Sequence, residues 1–262
     1  MRISDFPNIR ALILDMDGVL WRQSEPVVNL PFVFEEFEKR GLKVTLATNN
    51  ATLSVDQYLK KLKSFGISLK PEQIVNSPMA AANYLLQYYP QGGTIYVIGE
   101  NGLIETLTEH GFRVSDNNVV AVVVGMDRNL SYKKLSRATL LIRSGVCFIG
   151  TNADRTFPVP EGLVPGVGAI LAALEVASDV QPHVVGKPAP EMYRIALDRM
   201  GVNPSETLVV GDRLETDILG AQKIGCRTTL VLSGVSSSEA AQAWRPPIDI
   251  ITRDLVSLLQ DF

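Results

Sequence analysis

The sequence predicts an α/β protein in which a doubly wound parallel sheet is interrupted by an inserted second α/β domain. Two observations predict it. Short apolar runs of strand length alternate with amphipathic segments of helix length along the whole chain, and such alternation builds parallel sheets through helical crossovers. The first run, Ala11 to Leu14, is apolar at every position, which suits a strand buried on both faces of that sheet.

That opening strand is followed by helical spacing from Pro31 to Arg40, through Phe34 and Phe37, with Gly41 as its C-terminal cap. A second apolar strand, Leu42 to Ala47, runs into Thr48-Asn49-Asn50. An amphipathic helix from Ser54 to Phe65 closes on Gly66, and a short strand around Ile74-Val75 leads into Asn76-Ser77-Pro78. From Met79 to about His183 the alternation is complete in itself. It reads helix to Tyr89, strand Thr94 to Ile98, helix Leu103 to His110, strand Val119 to Val124, helix Tyr132 to Arg143, strand Val146 to Ile149 and helix Gly168 to Ala177. The first pattern then returns with strand His183 to Val185, helix Glu191 to Met200, strand Thr207 to Val210, helix Leu214 to Ile224 and strand Thr228 to Leu232. A last strand and helix follow Pro247. The expected division is a core of residues 1–78 and 184–262 around an inserted domain of residues 79–183.

With 262 residues and 46% apolar composition, the chain can bury a substantial core. Its 25 basic and 28 acidic residues give a net charge of -3 with no Lys/Arg cluster, so nucleic acid is not an expected partner. No apolar run approaches the ~18 residues of a membrane span. Asp15 cuts short the first apolar stretch, which makes it a poor signal peptide. A cytoplasmic protein is expected, with no membrane partner. Cys147 and Cys226 lack the spacing of a metal or redox pair and read as buried thiols. His110 and His183 are too few and too far apart to build a metal site or a triad.

Chemistry gathers just beyond the carboxyl ends of parallel strands. Asp15 and Asp17 stand at the first such edge; two apart in an extended segment they share a face, and Gly18 lets the chain turn away. Two carboxylates so close call for a hard divalent cation, with Mg²⁺ favoured when a phosphate shares the site. Surface turns and calcium loops share the Asp-x-Asp-Gly pattern, but the apolar continuation Val19-Leu20-Trp21 does not supply a calcium loop's further oxygens. Thr48-Asn49-Asn50, at the second strand end, suits either an anion cradle or a plain turn and helix cap. Gly186-Lys187-Pro188 sets a cation in a loop stiffened by Pro188 and Pro190; a solvated lysine fits the same residues. Val209 to Asp217 repeats the opening device, an apolar strand ending in acids, here Asp212 and Asp217, although Asp217 also fits as an acid favoured by a helix N-terminus. Four strand ends thus deliver acids, a hydroxyl and an ammonium, the groups phosphoryl transfer asks for.

This ordered set resembles the haloacid dehalogenase superfamily of phosphatases over nearly the whole chain. Asp15-Met16-Asp17-Gly18-Val19-Leu20 is similar to the family's first motif; Thr48-Asn49-Asn50, Gly186-Lys187-Pro188 and Gly211-Asp212-Arg213-Leu214-Glu215-Thr216-Asp217 resemble its second, third and fourth. Gly150-Thr151-Asn152-Ala153-Asp154, with Pro158 and Pro165-Gly166-Val167-Gly168-Ala169, resembles the cap signature of the branch holding NagD-type, 4-nitrophenylphosphatase and phosphoglycolate phosphatase-like enzymes. The resemblance implies a Rossmann-like core, an α/β cap over residues 79–183, and a Mg²⁺-dependent phosphomonoester hydrolase. Its substrates would be small soluble phosphates such as sugar phosphates, phosphoglycolate, nucleotides or 4-nitrophenyl phosphate. Asp15 would be the nucleophile and Asp17 the acid and base. Mg²⁺ would sit on Asp15, Asp212 and the carbonyl of Asp17, with Asp217 as ligand or supporting group. Thr48, Asn49, Asn50 and Lys187 would hold the phosphoryl oxygens. Asp154, Arg155 and Phe157 would face the leaving group, a role that a structural turn there rivals. A homodimer through the cap is likewise implied. The competing readings are a phosphotransferase with the same chemistry, and a phospho-receiver-like signalling or binding protein, which the second acidic pair after Lys187 and the long insertion argue against.

Overall fold

The computed structural model describes residues 5–159 and 161–260. The chain forms two compact units: Met1–Thr48, Asp56–Val75 and Met192–Phe262 make one, and Asn49–Val55 with Asn76–Glu191 make the other.

The first unit carries a six-stranded sheet in the order Ile250–Thr252, Arg227–Val231, Thr207–Gly211, Ala11–Leu14, Lys43–Thr48, Ile74–Asn76. The opening strand lies near its middle, parallel to both neighbours, with Leu14 level with Val210 on one side and Leu46 on the other. All four of its residues are fully buried, which is why an unbroken apolar run was needed there. Helix Leu30–Lys39 begins with the side chain of Asn29 accepting from the Phe32 N–H at 3.3 Å. It buries Leu30, Val33 and Phe37, one stripe at helical spacing. Helix Val55–Ser64 does the same through Tyr58 and Leu62.

The second unit has its own five-stranded parallel sheet, in the order His183–Val184, Cys147–Gly150, Val119–Val124, Gly93–Ile98, Phe112–Val114. Helices Tyr132–Arg143 and Val167–Ser178 pack on it through Leu141, Ile142, Ile170, Leu171 and Leu174. No helix among the described residues is long and apolar enough to cross a membrane.

Several features depart from the sequence reading, among them the unexpected strand Phe112–Val114 at the edge of the second unit's sheet. The strand His183–Val184, grouped there with the returning core, pairs with Cys147–Gly150 in the second unit's sheet. Two residues hold too little pattern to declare which sheet edge they join. Thr156–Val159 and Gly162–Pro165, assigned to no helix or strand in the sequence reading, form an antiparallel hairpin. The expected single helix Leu214 to Ile224 divides into a π-helical turn, Leu214–Ile218, and an α-helix, Leu219–Ile224.

Candidate active site

Strand register brings the acids of the first unit together. Leu14 is level with Val210, so Asp15 falls one position short of the level of Asp212, on the adjacent strand's exit. The Asp15 N–H donates to the Val210 carbonyl at 2.9 Å, which carries the ladder one residue beyond the strand. Asp217 returns to the same place on the π-helical turn, closed by the Ile218 N–H donating to the Arg213 carbonyl five residues back at 3.2 Å. Tyr193 steadies that turn: its hydroxyl is within 3.2 Å of the Thr216 carbonyl and 3.1 Å of the Asp217 carbonyl. Turns of this kind recur at functional sites because they re-aim a side chain by a fraction of a turn.

One carboxylate oxygen from each of Asp15, Asp212 and Asp217 lies within 4.8 Å of the others, and Asp212 and Asp217 are each 1% exposed. Each buried acid is also fixed by a backbone donor: Val235 N–H to Asp212 Oδ2 at 2.7 Å, and Arg213 N–H to Asp217 Oδ2 at 3.1 Å. Two glycines make room. Gly18, at φ +87°, turns the chain away after Asp17, and a Cβ on it would stand 2.5 Å from Asp212 Oδ2. A Cβ on Gly211 would collide with the side chain of Asp217. Carboxylates held this close, two of them buried and Asp15 half-buried, repel one another when charged unless a cation neutralises them. Their all-oxygen donor set and spacing fit a hard divalent ion.

Asp17, two residues after Asp15, is exposed and accepts the Trp21 indole N–H on Oδ1 at 2.8 Å. Thr48 closes the neighbouring strand, 2% exposed, and shares a side-chain hydrogen bond with Tyr58. Burial, reinforced by the charge of Asp17 and in smaller part Asp15, outweighs the Thr48 bond and pushes the Tyr58 hydroxyl far above the ordinary tyrosine range. It therefore stays protonated beside the acids.

The second unit holds the other motif residues. Asn49 grips the backbone of Lys187 from both sides: its Nδ2 donates to the Lys187 carbonyl at 3.0 Å, and its Oδ1 accepts the Lys187 N–H at 2.8 Å. The Asn49 carbonyl accepts in turn from Ser77 Oγ at 2.8 Å and Asn152 Nδ2 at 3.0 Å. Asn50 makes a local turn, its Oδ1 accepting from the N–H and hydroxyl of Thr52 at 2.9 and 2.7 Å. Lys187 is 4% exposed. Asp154 and Arg155 have structural backbone duties, their carbonyls accepting from Gly168 and Gly166 at 2.9 and 2.8 Å. The ring of Phe157 lies 5.8 Å from the Arg128 guanidinium, which is held on both oxygens of Glu100 at 2.8 and 2.7 Å.

Sequence reasoning missed Trp21, Tyr58, Tyr193 and the Arg128–Glu100 pair. The two tyrosines and Trp21 carried one signal that was available: an amphipathic aromatic in an apolar stripe must find a polar partner when buried. Arg128 and Glu100 had none, since ordinary surface charges look the same.

With this geometry, the chain matches two family models, the haloacid dehalogenase-like hydrolase over residues 12–113 and a related haloacid dehalogenase-like hydrolase over residues 184–258. An acid sugar phosphatase from Staphylococcus aureus is 35% identical over 247 residues, covering 94% of this chain and 95% of the relative. The chain belongs to the haloacid dehalogenase-like hydrolase family. Among solved structures, the p-nitrophenyl phosphatase from Archaeoglobus fulgidus is 29% identical with a TM-score of 0.92, covering 98% of this chain and 100% of that one. The glycerol phosphate phosphatase Rv1692 from Mycobacterium tuberculosis, in complex with magnesium, is 31% identical with a TM-score of 0.88, covering 98% and 78%.

Proposed function

We propose that this chain is a Mg²⁺-dependent phosphomonoester hydrolase of small soluble phosphates, working through an aspartyl phosphate on Asp15. The observation that carries the proposal is the convergence of Asp15 and Asp212, at neighbouring strand exits, with Asp217 from the π-helical turn, Asp17 following Asp15 by two residues. The phosphatases named among its relatives support the reaction class.

A carboxylate oxygen of Asp15 forms a bond to phosphorus as the ester oxygen departs, and Asp17 gives that oxygen its proton. Water then attacks the phosphorus; Asp17 takes back a proton, the Asp15–phosphorus bond breaks, and inorganic phosphate leaves. Asp15, Asp212 and the Asp17 carbonyl would hold Mg²⁺, with Asp217 as a ligand or supporting group, and the ion would neutralise negative charge on the phosphoryl oxygens. Thr48, the backbone at Asn49 and Asn50, and Lys187 are assigned to those oxygens as donors. The paired bonds from Asn49 to Lys187 support a loop held still for that purpose. Residues 79–183 are assigned as the cap, with Asp154, Arg155 and Phe157 toward the leaving group. A cytoplasmic location and a cap-mediated homodimer complete the reading.

The test is phosphate release from a panel of sugar phosphates, phosphoglycolate, nucleotides and 4-nitrophenyl phosphate, with and without Mg²⁺, for the native protein and Asp15→Asn. Release that needs Mg²⁺ and vanishes in the variant is expected. Near-normal hydrolysis by Asp15→Asn would remove the covalent route, and transfer to an alcohol acceptor without free phosphate would make the enzyme a phosphotransferase.

A further inference from the structure

We infer that Trp21 is a positioning residue that sets which oxygen of Asp17 meets the leaving group. The inference rests on the reading of Asp17 as the acid and base, and it concerns orientation, not acidity.

Trp21 is fully buried, yet its one polar atom points at an exposed carboxylate: the indole N–H donates to Asp17 Oδ1 at 2.8 Å. The indole is fixed on every side. Its backbone closes the loop onto the motif, with the Gly18 N–H donating to the Trp21 carbonyl at 2.7 Å and the Trp21 N–H to the Met16 carbonyl at 3.3 Å. The residue then starts a hairpin, Trp21–Arg22 paired antiparallel with Glu25–Pro26, and Arg22 Nε donates to the Ser233 carbonyl. The ring packs against Phe65 at 5.7 Å between centroids. Over it, 4.0 Å from the ring, lies the ammonium of Lys61, which also donates to the Gln23 carbonyl at 3.1 Å. Burial lowers the Lys61 pKa, and the charge of Asp17 opposes that in smaller part. A cation on the ring face draws electron density from the indole and makes its N–H a stronger donor.

A side chain held this way is preorganised. If Asp17 turns away, a fully buried N–H loses its acceptor, a penalty that keeps the carboxyl in one rotamer. An acceptor bond on Oδ1 also leaves Oδ2 as the oxygen that carries the proton. In the first half of the reaction the Oδ2–H bond breaks as the leaving oxygen gains that proton and the phosphorus–oxygen ester bond opens; in the second half Oδ2 receives a proton from the attacking water. Orientation of this kind matters most when the leaving group needs protonation. An alkoxide leaving group depends on it, whereas a nitrophenolate departs with little help.

The experiment compares kcat/KM for 4-nitrophenyl phosphate and glycerol 3-phosphate in the native enzyme, Trp21→Phe and Asp17→Asn. The phenyl ring keeps most of the packing and removes the N–H. A second protein carries at position 21 the benzothiophene analogue of tryptophan, the same shape with sulfur in place of N–H, which covers the case in which phenylalanine disturbs the fold. The expected result is a roughly tenfold or larger loss for glycerol 3-phosphate relative to 4-nitrophenyl phosphate, the scale of one hydrogen bond to a carboxyl group. Equal losses for both esters, or none, in the folded variants would overturn the inference, because lost packing does not discriminate leaving groups. Asp17→Asn separates the two layers. If it too shows no leaving-group dependence, the acid–base role of Asp17 falls; if it shows one and the position 21 variants do not, only the role of Trp21 falls.

Discussion

Replacing Asn49 with alanine tests the coupling between the second and third motifs where the structure makes it most explicit. The two side-chain bonds from Asn49 to the backbone of Lys187, at 3.0 and 2.8 Å, join residues 138 positions apart. Lys187 is 4% exposed, so solvent cannot simply replace them. Each such bond contributes about 1 kcal/mol net, and more when its loss strands a buried group. Truncation should therefore make local opening of the loop easier by about 2 kcal/mol, which is roughly thirtyfold in the opening equilibrium. Hydrogen exchange read by mass spectrometry on a peptide spanning Lys187 measures this directly, since the Lys187 N–H is the donor of one lost bond. Exchange there should accelerate about thirtyfold, while the buried strand Ala11–Leu14 keeps its protection. Turnover should fall in the same variant. Unchanged exchange at Lys187 would refute the argument that Asn49 holds this loop, and equal acceleration in both places would show a global loss of stability instead.

Two further outcomes follow from the acids and the buried thiol. Asp217→Asn should raise the Mg²⁺ concentration for half-maximal phosphate release about ten- to a hundredfold, as supporting carboxylates do; a Mg²⁺ titration that overlays the native one would take Asp217 out of the metal site. Burial pushes the Cys226 thiol up to about 12, against about 8.5 in an unfolded chain. A raised native value means its contribution to stability is whole below pH ~8.5 and is lost as pH climbs toward 12. Melting temperature should fall on that alkaline limb and fall less in Cys226→Ala; identical slopes for the two proteins would remove the thiol as a cause.

Most of what positions the site was legible in the sequence, for a physical reason. A parallel strand buried on both faces has to be apolar throughout, so the point where Leu14 gives way to Asp15, or Gly211 to Asp212, marks the sheet edge as well as the chemistry. What was hidden came from geometry that no residue type encodes. The π-helical turn at Leu214–Ile218 shows apolar spacing close to that of an ordinary helix, yet it is this extra residue per turn, with the Tyr193 hydroxyl on its carbonyls, that aims Asp217 at Asp15 and Asp212. Thr48-Asn49-Asn50 read as an anion cradle through its hydroxyl and backbone N–H groups, while no residue type announced that the Asn49 side chain bonds the Lys187 backbone from both sides. The division of labour within Thr48-Asn49-Asn50 then follows from which side chains are engaged. The Asn49 side chain binds a distant loop and Asn50 Oδ1 its own turn, so on the proposed reading those two residues would serve the phosphate through their backbone N–H groups. An Asn49→Asp replacement, which keeps an acceptor for the Lys187 N–H but loses the donor to its carbonyl, should therefore fall between the native protein and Asn49→Ala in the same exchange measurement.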